Sequence, residues 1–166
     1  MKTKTQKIVV SAMLAALVCV ATMIIKIPSP MKGYMNLGDC VVLLCGWVLP
    51  PFYGFCAAGI GSALADIFSG YAIYVPATFL IKGIMALIAY GLHKSLHKKM
   101  GMTPACLIAG VVSELFMAAG YYIFEGFMYG FVASLVNIPA NLVQAAAGLV
   151  LGVLLIRLFQ KSKMIP

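Results

Sequence analysis

The segment from Pro76 to Leu92 is mostly apolar, yet it carries one charged residue, Lys82, near its middle. As a helix this segment is nearly long enough to cross a bilayer, and a lysine at the centre of such a helix costs about 2.5–3.5 kcal/mol. Because apolar residues flank Lys82 on both sides, reaching the membrane surface is not the easiest way to lower that cost. The sequence therefore predicts a membrane helix whose lysine needs a partner, and Asp66 in the preceding apolar segment is the obvious acidic one.

The composition is that of an integral membrane protein, since 63% of the 166 residues are hydrophobic and 10% are charged. A soluble domain of this size would need far more polar surface. The net charge of +8 comes from lysines in short clusters between apolar runs, which indicates membrane topology and not nucleic-acid binding. The five cysteines lack the spacing of a zinc site or a disulfide framework, and we interpret them as small packing residues.

Six apolar segments predict an all-α membrane protein with six transmembrane helices in a single domain, residues 1–166. The helices are expected at about 7–25, 38–48, 52–68, 76 to the basic run after 92, 104–124 and 131–159. Two prolines and a glycine between 26 and 37 exclude a continuous helix and predict an irregular outer loop, and 126–130 is predicted to be the last outer turn.

The distribution of basic residues predicts that both termini are cytoplasmic. The side with the termini and the 93–103 loop carries Lys2, Lys4, Lys7, Lys94, Lys98, Lys99, Arg157, Lys161 and Lys163, and the other side carries Lys26 and Lys32.

Polar side chains concentrate in the outer half of these predicted helices. Asn137, Asn141 and Gln144 share one helix face, and a rise of 1.5 Å per residue places Lys82 roughly 9 Å below the outer end of its helix, level with the two asparagines. Tyr121 lies near the outer end of the fifth helix. The sequence thus predicts a ligand pocket in the outer half, with these candidate substrate-binding residues: Lys82, Asn137, Asn141, Gln144, Tyr121, Glu114, Asn36, Asp39, Tyr74 and Tyr34.

Several of these residues also fit a structural role. Asn36 or Asp39 would cap the helix that begins at NLGD. Tyr71 and Tyr74 suit either an interfacial aromatic belt or a lid over a cavity. Amides on one stripe serve interhelical hydrogen bonds as readily as a polar cavity.

A pocket that is polar in one half of the membrane is a binding site and not a continuous channel. A cation, amides, a carboxylate and tyrosines suit a small, flat, polar heteroaromatic molecule. The sequence lacks phosphate-loop, HExxH and GxSxG motifs, and its four acids are scattered along it, so we predict no enzymatic activity; an intramembrane enzyme is the competing class. His93 and His97 are four apart but lack a third ligand, so no metal or cofactor is expected.

Ala12 and Ala16 form a stripe of small residues on the first helix, with Ser11 and Ala15 alongside. Such a stripe lets another helix approach closely. Two interpretations remain open: contact with a helix of the same chain, and docking of a partner subunit.

The chain resembles the substrate-binding S component of energy-coupling factor (ECF) vitamin transporters over nearly its whole length. The resemblance rests on six helices in under 200 residues, on the Ala12 and Ala16 line, and on GYMNLGDCVVLL, GIGSALADIFSGY and YVPATFLIKGIMALI. The resemblance implies a multi-pass protein of the bacterial plasma membrane that binds a vitamin on the outer side. It also implies association with a transmembrane coupling protein and two cytoplasmic ATPase subunits, with Ala12 and Ala16 facing the coupling protein.

The ligand that the resemblance implies is a vitamin of the riboflavin-type branch, which also includes members assigned to vitamin B6 and to the hydroxymethylpyrimidine precursor of thiamine. Lys82, Asn137, Asn141 and the tyrosines would suit the phenolic oxygen and hydroxymethyl groups of pyridoxine or pyridoxal. We therefore expect vitamin B6, with riboflavin or hydroxymethylpyrimidine as the alternatives, and we expect the ligand to compensate part of the charge of Lys82.

Overall fold

A computed structural model describes residues 3–29 and 33–162 of the chain. Its elements are α1 (Lys4–Ile24), β1 (Lys26–Pro28), β2 (Tyr34–Asn36), α2 (Asp39–Val48), α3 (Pro51–Phe68), α4 (Val75–Met100), α5 (Met102–Tyr129), α6 (Phe131–Ser134), a 3-10 turn (Leu135–Asn137) and α7 (Ile138–Lys161). Lys2, Lys32 and Lys163, three of the basic residues used to predict the topology, lie outside the described residues.

Five segments of the described chain are long and apolar enough to cross a membrane: α1, α3, α4, α5, and α6 with α7 taken together. Helix α2 has 10 residues, so its length is about 15 Å, half of a hydrocarbon core of about 30 Å. The prediction of an all-α membrane protein is confirmed at that level, whereas α2 is too short to be a sixth spanning helix by itself.

Helix α2 lies at the centre of the bundle, in contact with α3, α4 and α7. All its residues from Asp39 to Trp47 are buried. Pro50 and Pro51 end it and begin α3, because a proline fits the first turn of a helix but not its interior. Gly46 permits close packing on α4, since a Cβ there would lie 2.6 Å from the Ala86 carbonyl oxygen.

The small residues of α3 allow close approach of the helices on either side of it. A Cβ at Gly54 would lie 2.9 Å from the Cys45 carbonyl oxygen of α2, and one at Gly59 would lie 2.8 Å from the Phe79 carbonyl oxygen of α4. Helix α1 packs on α3, where a Cβ at Gly61 would lie 2.8 Å from the Cβ of Val18.

The segment after α1 forms a two-stranded antiparallel hairpin, so the prediction of an irregular loop is wrong. Lys26 pairs with Asn36, Ile27 with Met35 and Pro28 with Tyr34, and the Ser29 amide donates to the Gly33 carbonyl at 2.9 Å. Prolines exclude a helix but favour extended backbone in the residue before them, which suits a short edge strand.

The alternation of the helices places the hairpin, the turn at 69–74 and the α5–α6 junction at one end of the bundle. The α4–α5 junction and the described chain ends lie at the other. Helix α5 continues through Tyr129 and ends at Gly130, whose φ of +94° favours glycine. The prediction of a turn over 126–130 is therefore wrong for all but its last residue.

Candidate functional site

The partner of Lys82 is Asp39 of α2. The Lys82 ammonium donates to Asp39 Oδ1, and Gln144 Nε2 of α7 donates to Asp39 Oδ2 at 2.7 Å. Lys82 and Asp39 are 2% and 0% exposed, so each charge lacks water and depends on the other. The Lys82 Nζ also lies 5.4 Å from the ring centroid of Tyr121.

This pair corrects three expectations, two about the charge of Lys82 and one about helix capping. Asp66 is not the partner of Lys82, and the charge of Lys82 is compensated within the chain. Asp39 does not cap α2, because its carboxylate is engaged with α4 and α7. Asn36 does bind an amide at this helix start, through its Oδ1 and the Gly38 N–H at 2.9 Å.

A cavity of about 510 Å³, including its open mouth, lies beside the ion pair at the hairpin end of the bundle. Its walls come from α1, the hairpin, α3, α4, α5 and α7. The lining residues are Thr22, Ser29, Gly33, Tyr34, Asn36, Ser62, Asp66, Tyr71, Tyr74, Thr78, Lys82, Tyr121, Glu125, Asn141 and Gln144.

The hairpin forms one wall of this cavity and contacts α3, the 69–74 turn and α7. The Tyr34 hydroxyl donates to Asp66 Oδ1 at 2.6 Å, and the rings of Tyr34 and Tyr71 lie 4.7 Å apart. The Asn36 amide donates to Gln144 Oε1 at 2.9 Å. Burial, and then the nearby Asp66 carboxylate, raise the pKa of Tyr34, so its hydroxyl remains a donor.

A second wall is built around Glu125 near the outer end of α5. Glu125 Oε1 accepts from Asn137 Nδ2 at 2.8 Å and from the Tyr74 hydroxyl at 3.3 Å. Burial is the main cause that raises the pKa of Tyr74, which keeps this hydroxyl protonated. Nearby, the Tyr121 hydroxyl donates to Thr78 Oγ1 at 3.1 Å.

Seven of the ten predicted substrate-binding residues line the cavity: Lys82, Asn141, Gln144, Tyr121, Asn36, Tyr74 and Tyr34. Asp39, Asn137 and Glu114 do not line it. Asn137 belongs to the 3-10 turn that interrupts the predicted helix, and it is buried behind the wall, where its Nδ2 donates to the lining residue Glu125.

Glu114 is 3% exposed, and neither of its carboxyl oxygens has a hydrogen-bond partner among the described residues. It lies next to Asp39 across Gly148, where an added Cβ would be 2.7 Å from Asp39 Cβ and 2.9 Å from Glu114 Oε1. Glu114 is thus part of the polar cluster behind the cavity wall, where Gln144 and Lys82 meet at the Asp39 carboxylate.

The set of candidate substrate-binding residues missed eight lining residues: Thr22, Ser29, Gly33, Ser62, Asp66, Tyr71, Thr78 and Glu125. Several of them carry a periodic signal in the sequence. Thr78 precedes Lys82 by four residues and Glu125 follows Tyr121 by four, so each shares a helix face with a predicted substrate-binding residue. Ser62 likewise precedes Asp66 by four, and Asp66 had been considered only as a partner of Lys82. Ser29 and Gly33 give no such signal, because the hairpin positions them.

The two histidines lie at the opposite end of the bundle. Their rings stack with centroids 5.5 Å apart, and His93 Nε2 contacts Met102 Sδ at 2.9 Å. Within the described part of the chain, no group of three or more His, Cys, Asp or Glu residues is arranged to hold a metal ion.

The polar character of the cavity suits binding of a small molecule. Tyrosine rings offer stacking surfaces, amides and hydroxyls offer directional hydrogen bonds, and the apolar bundle around them excludes water. The buried Nδ2 of Asn141 has no hydrogen-bond partner among the described residues, so a donor in the wall is free for a ligand.

Comparisons with known proteins point to one family. The model of the family described as ECF-type riboflavin transporter, S component, matches residues 2–161. A Pyrococcus woesei protein described as an uncharacterized protein in gap 3′ region is 32% identical over 136 residues, which cover 81% of this chain and 88% of that protein. The solved structure of the S component of a bacterial ECF transporter aligns with a TM-score of 0.76 and 22% identity, over 96% of this chain and 98% of that one. At this identity the structural likeness shows the fold alone.

Proposed function

Because this chain belongs to the family of ECF-type riboflavin transporter S components, we propose that it captures a small water-soluble vitamin for an energy-coupling factor importer. The observation that carries the proposal is the polar cavity at the hairpin end of an otherwise apolar bundle. Binding is assigned to the seven lining residues predicted from the sequence, namely Lys82, Asn141, Gln144, Tyr121, Asn36, Tyr74 and Tyr34. Asp39, Asn137 and Glu114 support that wall from behind.

The proposed orientation puts the cavity on the outer side of the bacterial plasma membrane and both termini in the cytoplasm. The basic residues near the α4–α5 junction support it, since Lys94, Lys98 and Lys99 lie at the end of the bundle opposite the cavity. In this orientation the hairpin and the 69–74 turn meet the incoming vitamin. In this orientation α2 would be a sixth helix that enters the membrane from the outer side and crosses about half of its hydrocarbon core.

Riboflavin and vitamin B6 are the two ligands to test first. The description of the matched family favours riboflavin. Vitamin B6 was expected because Lys82 would suit its phenolic oxygen, and that argument is weaker now because Asp39 holds the lysine. Hydroxymethylpyrimidine is a further alternative by the same mechanism.

Delivery of the vitamin requires partners in this proposal: a transmembrane coupling protein and two ATPase subunits, which supply the energy. Ala12 and Ala16 are exposed on α1, while the neighbouring Ser11 and Val18 are buried. An exposed stripe of small residues supports docking of another helix there and not internal packing.

The proposal is tested by calorimetric titration of the purified protein, without ATP, with riboflavin, pyridoxine and hydroxymethylpyrimidine. We expect one of them to bind at one site with submicromolar affinity and to be recovered chemically unchanged. Asn141→Leu should weaken that binding tenfold or more because it removes a free donor, whereas Val143→Leu, on an exposed part of the same helix, should not. Failure of all three to bind would contradict the proposal, and a chemically altered vitamin would favour an intramembrane enzyme.

A further inference from the structure

All acidic residues of this chain are buried in one region of the bundle. The sequence contains four Asp and Glu residues in total, and Asp39, Asp66, Glu114 and Glu125 are 0%, 4%, 3% and 3% exposed. Two of them, Asp66 and Glu125, line the cavity, and the other two lie together behind its wall. Residues that are scattered in the sequence therefore form an acidic environment around one cavity.

The positive charge of the residues that line the cavity is already paired within the chain. Lys82 is the one Lys or Arg among the described residues that line the cavity, and its ammonium is bound to Asp39. Asp66 and Glu125 receive neutral donors instead: Tyr34 for Asp66, and Asn137 and Tyr74 for Glu125. No lining cation among the described residues remains free to meet an anionic ligand.

Both carboxyl groups in the wall also have an unused oxygen. Asp66 Oδ2 and Glu125 Oε2 are buried and have no hydrogen-bond partner among the described residues. An ionised carboxylate oxygen only accepts hydrogen bonds, so it is complemented by an N–H, an O–H or a positive charge on a ligand. An anionic group would meet like charge if these carboxyls are ionised, and would find no free cation if they are protonated.

We infer that Asp66 and Glu125 determine the charge class of the ligand, so that the cavity takes an uncharged or cationic heteroaromatic molecule with hydrogen-bond donors and rejects its phosphate ester. This inference rests on the proposed function and narrows it. Asn141, with its free Nδ2, supplies the complementary donor for a ring nitrogen or carbonyl of the same ligand.

The test compares matched pairs of ligands by calorimetry on the full-length protein: riboflavin with its 5′-phosphate, pyridoxine and pyridoxamine with theirs, and hydroxymethylpyrimidine with its phosphate. We expect the phosphate ester of whichever vitamin binds to be at least tenfold weaker. Asp66→Asn and Glu125→Gln should each reduce that ratio by threefold or more. Ser113→Ala is the control, because it removes a buried polar group of α5 that does not line the cavity, a hydroxyl that donates to the Ala109 carbonyl, and it should leave the ratio unchanged.

The outcomes separate the inference from the function on which it rests. A phosphate ester that binds wild type as tightly as its parent vitamin overturns the inference and leaves vitamin capture intact. Failure of every pair to bind overturns the proposed function and the inference together. Because the first comparison uses wild-type protein, it holds even if a variant fails to fold, which size-exclusion chromatography would reveal.

Discussion

Lys82 and Asp39 form a buried ion pair inside this bundle, in which each charge is shielded from water and stabilised by the other. Gln144 completes the cluster by donating to the second carboxylate oxygen of Asp39 and accepting from the backbone of the hairpin. Three helices and the hairpin are thus joined through four polar groups. At the scale of single residues, the stability of the fold and the shape of the cavity depend on the same contacts.

Removing one member of the ion pair should destabilise the protein strongly. Lys82→Met leaves the Asp39 charge buried without a cation, a change that costs about 3–5 kcal/mol in proteins. The double variant Lys82→Met with Asp39→Asn removes both charges and should recover most of the lost melting temperature. Thermal unfolding in detergent measures this, and a double variant no more stable than Lys82→Met would contradict the assigned pair.

The same lysine should also matter for binding. Lys82 lines the cavity and orients Asp39 and Gln144, so we expect Lys82→Met to weaken vitamin binding tenfold or more at a temperature where the variant is folded. Calorimetric titration of the folded fraction gives the affinity. Unchanged affinity would remove Lys82 from the binding site.

Deprotonation of Tyr34 should lower the stability of the protein at alkaline pH. Its pKa is raised in the folded state, by burial and then by Asp66, above the ordinary value of about 10. The unfolded chain therefore releases this proton first, so the stabilising contribution is complete below pH 10 and is lost as the pH rises beyond it. Melting temperatures from pH 8 to pH 11 should fall less for Tyr34→Phe than for wild type, and identical curves would contradict this assignment.

At the scale of elements, the site depends on how closely the helices approach. Helix α2 is buried along its length, and α7 reaches it through a glycine, Gly148, that also borders Glu114. A side chain at this position would push apart the helices that carry Asp39, Glu114 and Gln144. The polar cluster therefore depends on a residue that has no side chain of its own.

Gly148→Ala should destabilise the bundle by about 1–3 kcal/mol, because its Cβ would overlap Asp39. Gly91→Ala is the matched control, since a Cβ there meets nothing within 4 Å, and alanine in a helix should stabilise by about 0.5–1 kcal/mol. Thermal unfolding of the two variants should show shifts of opposite sign. A harmless Gly148→Ala would contradict the tight contact between α2 and α7.

The sequence predicted most of the helices because bilayer-length apolar runs and turn residues are local signals. It also identified Lys82, since an isolated charge in such a run is energetically costly. It did not identify Asp39 as the partner of Lys82, because Asp39 and Lys82 are 43 positions apart. The spacing of residues within a helix does not indicate how α2 packs on α4. The sequence also did not predict the 3-10 turn that ends at Asn137 and interrupts the predicted last helix.

At the scale of the whole molecule, the two ends of the bundle differ in chemistry and in proposed role. The hairpin end holds the cavity, with two carboxyl groups in its wall and two behind it, while the opposite end carries the basic cluster of α4. Helix α1 packs on α3 with one face and leaves Ala12 and Ala16 exposed on the other. Ligand capture and partner docking are therefore assigned to separate surfaces.

This separation predicts that docking can be blocked without loss of binding. Ala12→Trp or Ala16→Trp should abolish vitamin uptake by cells while calorimetry on the purified protein shows unchanged affinity, because a large side chain prevents close approach of a partner helix. Val150→Trp, on an exposed position of α7, is the control and should transport normally. Loss of binding and uptake together would mean that the stripe has an internal packing role.

Mass spectrometry of the small molecules released when the purified protein is denatured shows whether the polar cavity holds a vitamin. Protein isolated from cells supplied with riboflavin and vitamin B6 should release one uncharged or cationic, unphosphorylated heteroaromatic vitamin in near-stoichiometric amount, and much less after Asn141→Leu. Release of lipid alone from protein that is active in uptake would contradict vitamin binding in this cavity.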